Sequence, residues 1–545
     1  MDRTRRYSIR VSAYAWLCAL SSACGGGGSS SPPPQPDFSL SASPSSLATS
    51  IGATTGSVTV TVESSNGFSG SVSVAITGLP ASAATNPAGP LIVSAGSSQS
   101  FTVLTSGSTP TGNATVTLTG TSGSLSHMTM VVLTTTPAVS TSQSGTLLYL
   151  EARANGHTAR IGADTKWGGA VVDVTYDGNS IVNAHDTGRE VQPAFYDGAD
   201  QYPWPAINKN YGWDPVLAGD FYDNGSSVEA QQIGADSLYT RAAPLQWYPD
   251  SFGGGATMPV PSDLTVEQTI TLAPGSNIAF QVHYRLTHNG TDTHYNTGQE
   301  FPAVYVNAGY GTLAYYAGST PWTGAALTET AVPPSGQQPG LAVFTPEQWA
   351  ALVDSNGIGL AVYVPGEYAR TGATAFPSTG SGPTGDTTIY MAPMTAFTFA
   401  PGSVIEGDIF LVPGDVGAAR SAIYTLHQGV PAADKFTPNA TVDAPAPNAT
   451  ISGTSASVTG WAFDNIALDS VQVYVDGVLR GAATLGGSRP DVAAAYPQIA
   501  PSDSGWSYAL DTTALSNGAH AIVVHVRDKA GNEGLLAPVS VTVSN

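Results

Sequence analysis

The sequence predicts an all-β protein, with one large antiparallel sandwich between two smaller β-sandwich units. Three observations predict it. Charged residues make up only 10% of the 545 positions, while Gly (61) and Pro (39) are abundant. That profile fits short strands and many turns, not helices rich in Glu, Lys and Leu. Period-two alternation recurs along the chain, as in "SVTVTV" (57–62) and "DSVQVYVDG" (469–477), the spacing of strands with one buried and one wet face. The aromatics are uneven. Residues 38–136 hold only Phe38, Phe68 and Phe101, whereas 144–436 hold Trp167, Trp204, Trp213, Trp247, Trp322, Trp349 and most of the tyrosines.

The elements follow in chain order. "MDRTRRYSIR" is a positive leader and "VSAYAWLCAL" a short apolar core, too short for a membrane-spanning helix. "LSSAC" then ends at Cys24, ahead of "GGGGSSSPPPQP". This resembles a bacterial lipoprotein signal peptide over 1–24, with Cys24 lipidated and 25–37 as a linker; the alternative is plain cleaved secretion. The expectation is a secreted protein, an outer-membrane or cell-surface lipoprotein that meets the membrane only through its lipid anchor. Cys18 and Cys24 are the only cysteines. Cys18 leaves with the signal, so no internal disulfide is expected. The net charge of −21, with no basic cluster beyond the N-terminus, excludes a nucleic-acid partner.

Residues 38–136 read as strands at "SVTVTV", "SVSVAITGLP" (71–80), "QSFTVLT" (99–105) and "NATVTLTG" (113–120). The phrases "FSLSASPSSL", "GFSGSVSV" and "GTSGSLSH" resemble bacterial Ig-like modules, which implies a spacer or stalk. Residues 438–545 form a second such unit, with "ASVTGWAFDN", "SGWSYALDTTAL" and "HAIVVHVRDKAGNEG" as strands and hairpins. Trp461 and Trp506 are read there as core. No cofactor is expected. Structural calcium is the one possibility, through the acids of "FDN" (463–465) and "DKAGNE" (528–533), whose other reading is as turn residues.

The unit 144–436 carries the chemistry. A hairpin is expected at 168–184 around "DGN", two long strands over 264–290, and further strands at 359–365 and 403–413. The best helical signal is "TPEQWAALVD" (345–354), with Thr345 as N-cap and Pro346 in the first turn. There is no G-x-S-x-G, H-E-x-x-H, P-loop or G-x-G-x-x-G signature. Two polar, aromatic clusters remain, "NAHDTGREVQPAFYDG" (183–198) with its continuation to 228, and 287–316. "GGAVVDVTYDGNSIVNAHDTGREVQ" (168–192) resembles the opening strands of the galactose-mutarotase-like β-supersandwich. The resemblance implies carbohydrate chemistry, a fold shared by epimerases, glycoside hydrolases and polysaccharide lyases.

Sugar hydrolysis needs two carboxyl groups, one as acid and one as base or nucleophile. The expected set is Glu300 with Asp186 or Glu190, acting on a polysaccharide or oligosaccharide. The alternatives are a polysaccharide lyase acting on a uronate-containing glycan, with His185 or Tyr196 as base and Arg189 neutralising the uronate, and a non-catalytic glycan-binding or adhesin protein. His185, Arg189, Gln192, Tyr196, Trp213, Asp214, Asp220, Trp247, Tyr305 and Trp322 are the expected substrate contacts. Several have a plainer reading: Asp186–Arg189 as an ion pair, Asp214 and Asp220 as turn acids, the tryptophans as core. His288 and His294, with Asp292 between them, match no standard zinc spacing, so no metal is expected there.

Overall fold

The computed structural model describes residues 33–183, 190–197, 213–247, 259–334, 340–366, 370–376, 387–429, 434–497 and 499–545. Among these residues the chain is mostly β, in several predominantly antiparallel sheets. No helix among the described residues is long and apolar enough to cross a membrane.

At the N-terminal end a four-stranded and a five-stranded sheet share a core of Phe38, Val60, Val62, Val74, Phe101 and Leu118. The alternation is direct: in Val58–Ser65 every second residue of the valine run is buried. At the C-terminal end two sheets, of four and six strands, enclose Val458, Val473, Trp506 and Val524. Trp461 stacks on Phe463.

Between them lie a 12-stranded and a 9-stranded sheet. One core joins the two: Leu148, Ile161, Val174, Val304 and Met391 from the first meet Leu238, Val266, Val282, Leu360 and Leu411 from the second. Leu264–Leu272 and Phe280–His288 pair in register from Leu264↔His288 to Leu272↔Phe280. The "DGN" turn joins Ala170–Tyr176 to Asn179–Ser180.

The helix expected at 345–354 is not formed. Trp349–Val353 is a strand, paired with Ile358–Tyr363 and Thr312–Tyr315. Its residues are buried on both faces, Ala350 and Leu352 toward the shared core and Trp349, Ala351 and Val353 toward a second cluster. A run that is apolar at every position suits a doubly covered strand, and tertiary pairing overrides the local capping signal.

The second cluster lies under the helix Val416–Gly429. Asp415 Oδ1 accepts the Ala418 N–H at 2.9 Å and opens the helix. Ala419, Ile423 and Leu426 pack onto Trp349, Tyr363 and Phe410 of the 9-stranded sheet. The helix is clamped through Glu347, fully buried, which accepts from Arg420 Nη2 at 2.9 Å, Trp349 Nε1 at 2.9 Å and the Trp322 N–H at 3.0 Å. The helix thereby covers the outer face of the 9-stranded sheet over Trp349–Val353, Ile358–Tyr363 and the adjoining strand around Phe410.

Candidate acid–base site

The outer face of the 12-stranded sheet is built differently. The strands Val191–Ala194, His294–Asn307 and Thr388–Phe399 run side by side. Their inward residues, such as Val191, Val304, Met391 and Phe397, enter the shared core. Ala303, Tyr305, Tyr390, Ala392 and Met394 form a separate cluster on the opposite side. Glu300 is paired across the ladder with Met394 and Ala194, and the register shifts between Glu300 and Val304. Such an irregularity re-aims side chains.

Glu300 is 7% exposed. Tyr390 donates its hydroxyl to Glu300 Oε1 at 2.6 Å, and Tyr196 bonds the same carboxyl. Burial pushes this carboxyl up to about 7, against the pull of both hydroxyls. Burial also drives both tyrosines well above their ordinary range, reinforced by the charge of Glu300. Tyr196 is clasped by Gln299, whose Oε1 accepts the Tyr196 N–H at 2.6 Å while its Nε2 donates to the Tyr196 carbonyl at 2.9 Å. Asp214 and Tyr305 stand close enough to raise Tyr196 further. A buried carboxyl that titrates near neutrality beside two hydroxyls can both give and take a proton.

The other expected residues divide. Gln192 is buried and accepts the Ala218 N–H at 2.7 Å. Asp214 is buried, its N–H given to Gln246 Oε1 at 2.7 Å, and its carbonyl accepts the Trp247 N–H. Tyr305 packs on Tyr390 with ring centroids 5.1 Å apart. Glu190 is buried opposite Tyr305, whose N–H the Glu190 backbone carbonyl accepts at 2.7 Å. That register leaves Glu190 and Glu300 five positions apart, roughly 15 Å along a strand. Hydrolytic carboxyl pairs stand about 5 to 9.5 Å apart, so the ladder does not bring these two together.

Three residues belong elsewhere. Asp220 serves its own turn, accepting from the N–H groups of Tyr222 at 2.9 Å and Asn224 at 3.0 Å. Trp322 stacks on His427 at 3.6 Å, on the helix-covered side of the sandwich. Trp213 is buried, stacked on His294 at 3.8 Å. Cys24, His185, Asp186 and Arg189 lie outside the described residues. Tyr390 and Gln299 were not singled out from the sequence. The only signal for Tyr390 is one phenol in the apolar run "IYMAPM".

Two groups of metal-ligating side chains occur among the described residues. One is Asp263, His288, Asp292 and His294. The other, Asp434, Asp464 and Asp528, takes in the "FDN" and "DKAGNE" acids, with one carboxylate oxygen of each within 4.8 Å of the others. Both sequence-named acids also hold turns, Asp464 accepting from Ile466 N–H at 2.9 Å and Asp528 from Asn532 N–H at 2.9 Å. Burial first, then the neighbouring carboxylates, push Asp434 up to about 7. Burial, reinforced by Asp528, pushes Asp464 up to about 6.

Residues 438–524 match the bacterial Ig domain family. No curated protein matches the chain. Among solved structures, the chain is similar to a protein assigned as an aldose 1-epimerase from Klebsiella pneumoniae, at 12% identity and TM-score 0.29, covering 58% of this chain and 88% of that one. It is similar to a heparan sulfate lyase from Pedobacter heparinus at 9% identity and TM-score 0.25, over 59% of this chain and 41% of the lyase. It is also similar to an endo-β-1,4-mannanase from Thermotoga petrophila, at 15% identity and TM-score 0.15, over 24% of each chain. The chain thus spans a quarter of the mannanase and under half of the lyase. All three likenesses are distant.

Proposed function

We propose that the central sandwich is a carbohydrate-active enzyme whose proton transfers run through Glu300. One observation carries the reading: a carboxyl on the outer sheet face, 7% exposed, that titrates at about 7 between two tyrosine hydroxyls. The sugar class is supported by the aromatic content of 144–436 and by the resemblance of 168–192 to carbohydrate supersandwiches. Fold analogy of this kind ranks below the chemistry of the site.

The finer reading is a glycoside hydrolase, with Glu300 as the acid that protonates the leaving oxygen. Asp214, which shares Tyr196 with Glu300, replaces Glu190 as the second carboxylate, and Asp186 stays a candidate. The hydroxyls on Glu300 favour one rival, β-elimination from a uronate-containing glycan. There the protonated Glu300 would face the uronate carboxylate, and Tyr196 or Tyr390 would move the proton. The proposal includes the two flanking modules as spacers, an N-terminal signal over 1–24 and surface anchoring through Cys24. Cys24→Ala should release the protein from the membrane fraction.

Incubation with a panel of polysaccharides tests the reading. New reducing ends without ultraviolet absorbance indicate hydrolysis, and a new unsaturated bond indicates elimination. Glu300→Gln should abolish either. A folded Glu300→Gln variant with unchanged turnover removes the proposal. Retention of a glycan that is never cut replaces it with a binding function.

A further inference from the structure

We infer that Asp263, His288, Asp292 and His294 form a binding site for a divalent first-row cation, with zinc as the ion its donors fit. The site lies where the chain crosses between the two large sheets. His288 ends Phe280–His288 in the 9-stranded sheet and His294 begins His294–Asn307 in the 12-stranded one. Asp263 precedes Leu264, the ladder partner of His288. Asp292 sits in the crossover itself.

The tautomers are set from behind. His288 Nδ1 lies 3.0 Å from the Ala400 carbonyl oxygen, and His294 Nδ1 lies 2.9 Å from Asp197 Oδ2. Both partners are acceptors, so both Nδ1 atoms carry the hydrogen. Each neutral ring then turns an Nε2 lone pair toward carboxylate oxygens. His288 Nε2 is 3.1 Å from Asp263 Oδ2 and 3.6 Å from Asp292 Oδ1. His294 Nε2 is 3.8 Å from Asp292 Oδ1 and 4.0 Å from Asp263 Oδ1. Lone pairs facing lone pairs require positive charge between them.

A second observation points to an ion rather than to protons on the rings. His294, with its side chain 5% exposed, has a buried Nε2 with no hydrogen-bond partner, aimed into the group. A ring N–H there would be an unpaired buried donor, which costs free energy. The separations fit a metal. Bonds of about 2.0–2.2 Å in a tetrahedron put donors about 3.3–3.6 Å apart; Asp292 Oδ1 lies 3.6 and 3.8 Å from the two Nε2 atoms, and one donor atom from each of the four residues lies within 4.8 Å of the others. Space is kept as well. A Cβ on Gly290 would fall 2.1 Å from Asp263 Oδ2, 2.5 Å from His288 Nε2 and 2.8 Å from Asp292 Oδ1. Asp197 behind His294 and the Trp213 indole, which donates to Asp263 Oδ1 at 2.7 Å, orient the donors, as partners behind metal ligands do. Two imidazoles and two carboxylates suit zinc better than the all-oxygen shells of calcium or magnesium.

The full chain, stripped with a chelator and dialysed, should take up one equivalent of zinc in calorimetric titration. Cobalt(II) in its place should give the intense visible bands of a four-coordinate site. His294→Gln and Asp292→Asn should each weaken zinc at least about tenfold. Gly290→Ala should block uptake by pushing the Asp263, His288 and Asp292 side chains apart, although all four ligand residues are retained. The Asp292 side chain is 65% exposed, so Asp292→Asn keeps the test open if His294→Gln does not fold. Failure of both zinc and cobalt to bind overturns the proposal. So does binding of wild-type strength in folded Asp292→Asn and Gly290→Ala.

Discussion

Replacing Glu300 with Gln should flatten the pH dependence of folding stability. In the unfolded chain the carboxyl titrates at the ordinary 4.5, and in the folded chain at about 7. Folding therefore takes up a proton between these values. The resulting stabilisation is fully present below 4.5 and is lost as the pH rises through about 7. At about 1.4 kcal/mol per pH unit, the total is about 3 kcal/mol, most of it between pH 5 and pH 8. Solvent screening takes little from this, because the group is 7% exposed. Gln is the neutral isostere and keeps an oxygen for the Tyr390 hydroxyl. The assay is urea unfolding followed by tryptophan fluorescence, with wild type and variant compared at each pH so that other titrating groups cancel. Wild type should lose about 2.5 kcal/mol relative to the variant from pH 5 to pH 8. A relative change under about 1 kcal/mol would mean that Glu300 is not held near neutrality. The acid–base reading would then lose its central group.

Three further outcomes are expected. Tyr390→Phe removes a hydroxyl that lowers the Glu300 pKa; a hydrogen bond to a charged group is worth about 1.5–3 kcal/mol, so the alkaline limb of a pH–rate profile, where a general acid loses its proton, should move up by about one to two units, and a limb that stays put refutes the assignment. Arg420→Met strands the fully buried Glu347 carboxylate and should cost about 3–5 kcal/mol in urea unfolding, partly restored by adding Glu347→Gln; a loss under about 1 kcal/mol would show that the clamp is ornamental. The Asp434, Asp464 and Asp528 group should make the junction of the central unit and the C-terminal module less stable as the pH rises from about 4 through about 7, because folding raises two of these carboxyls from 3.8. Asp464→Asn should remove part of that decline in calorimetry with a chelator present, and an unchanged decline counts against the crowding.

Strands with one wet face were legible because alternation survives in the sequence, as in Leu264–Leu272 and Phe280–His288. "WAALV" lost that period by being covered on both sides, and capping residues ahead of it then resembled a helix start. The true helix has apolar residues at 416, 419, 423 and 426, a helical stripe, but two of its four turns are anchored by small or modest side chains and it follows directly on a strand. Glu300 was readable as an acid inside an apolar strand. Tyr196 is readable as a contact, but not its meeting with Tyr390 at this carboxyl, since each lies about a hundred positions away in sequence and reaches it only by strand pairing. Trp322 illustrates the opposite error. An aromatic in a polar loop has no sequence mark of the sheet face it will reach, and this one lies under the helix. His288 and His294 fit no motif because their other two ligands come from a strand start and a crossover.

Two of the buried glutamates of the central sandwich, Glu300 and Glu347, separate structure from chemistry. Burial would push both carboxyls up. Glu347 is nevertheless held below its ordinary range by Arg420, Tyr424 and the N–H groups of Trp322 and Trp349. A guanidinium and backbone and indole N–H groups do not exchange roles, so that carboxylate is fixed as an anion that pins a helix. Glu300 receives only hydroxyls in the described hydrogen bonds, and these are too weak to offset burial, leaving it at about 7. Tyrosine hydroxyls can donate or accept, so the same contacts serve either protonation state. The covered face of the sandwich thus holds the acid with permanent donors, and the opposite face holds the acid whose proton is free to move. That difference in partners, more than burial or pKa alone, is the physical ground for proposing proton transfer at Glu300.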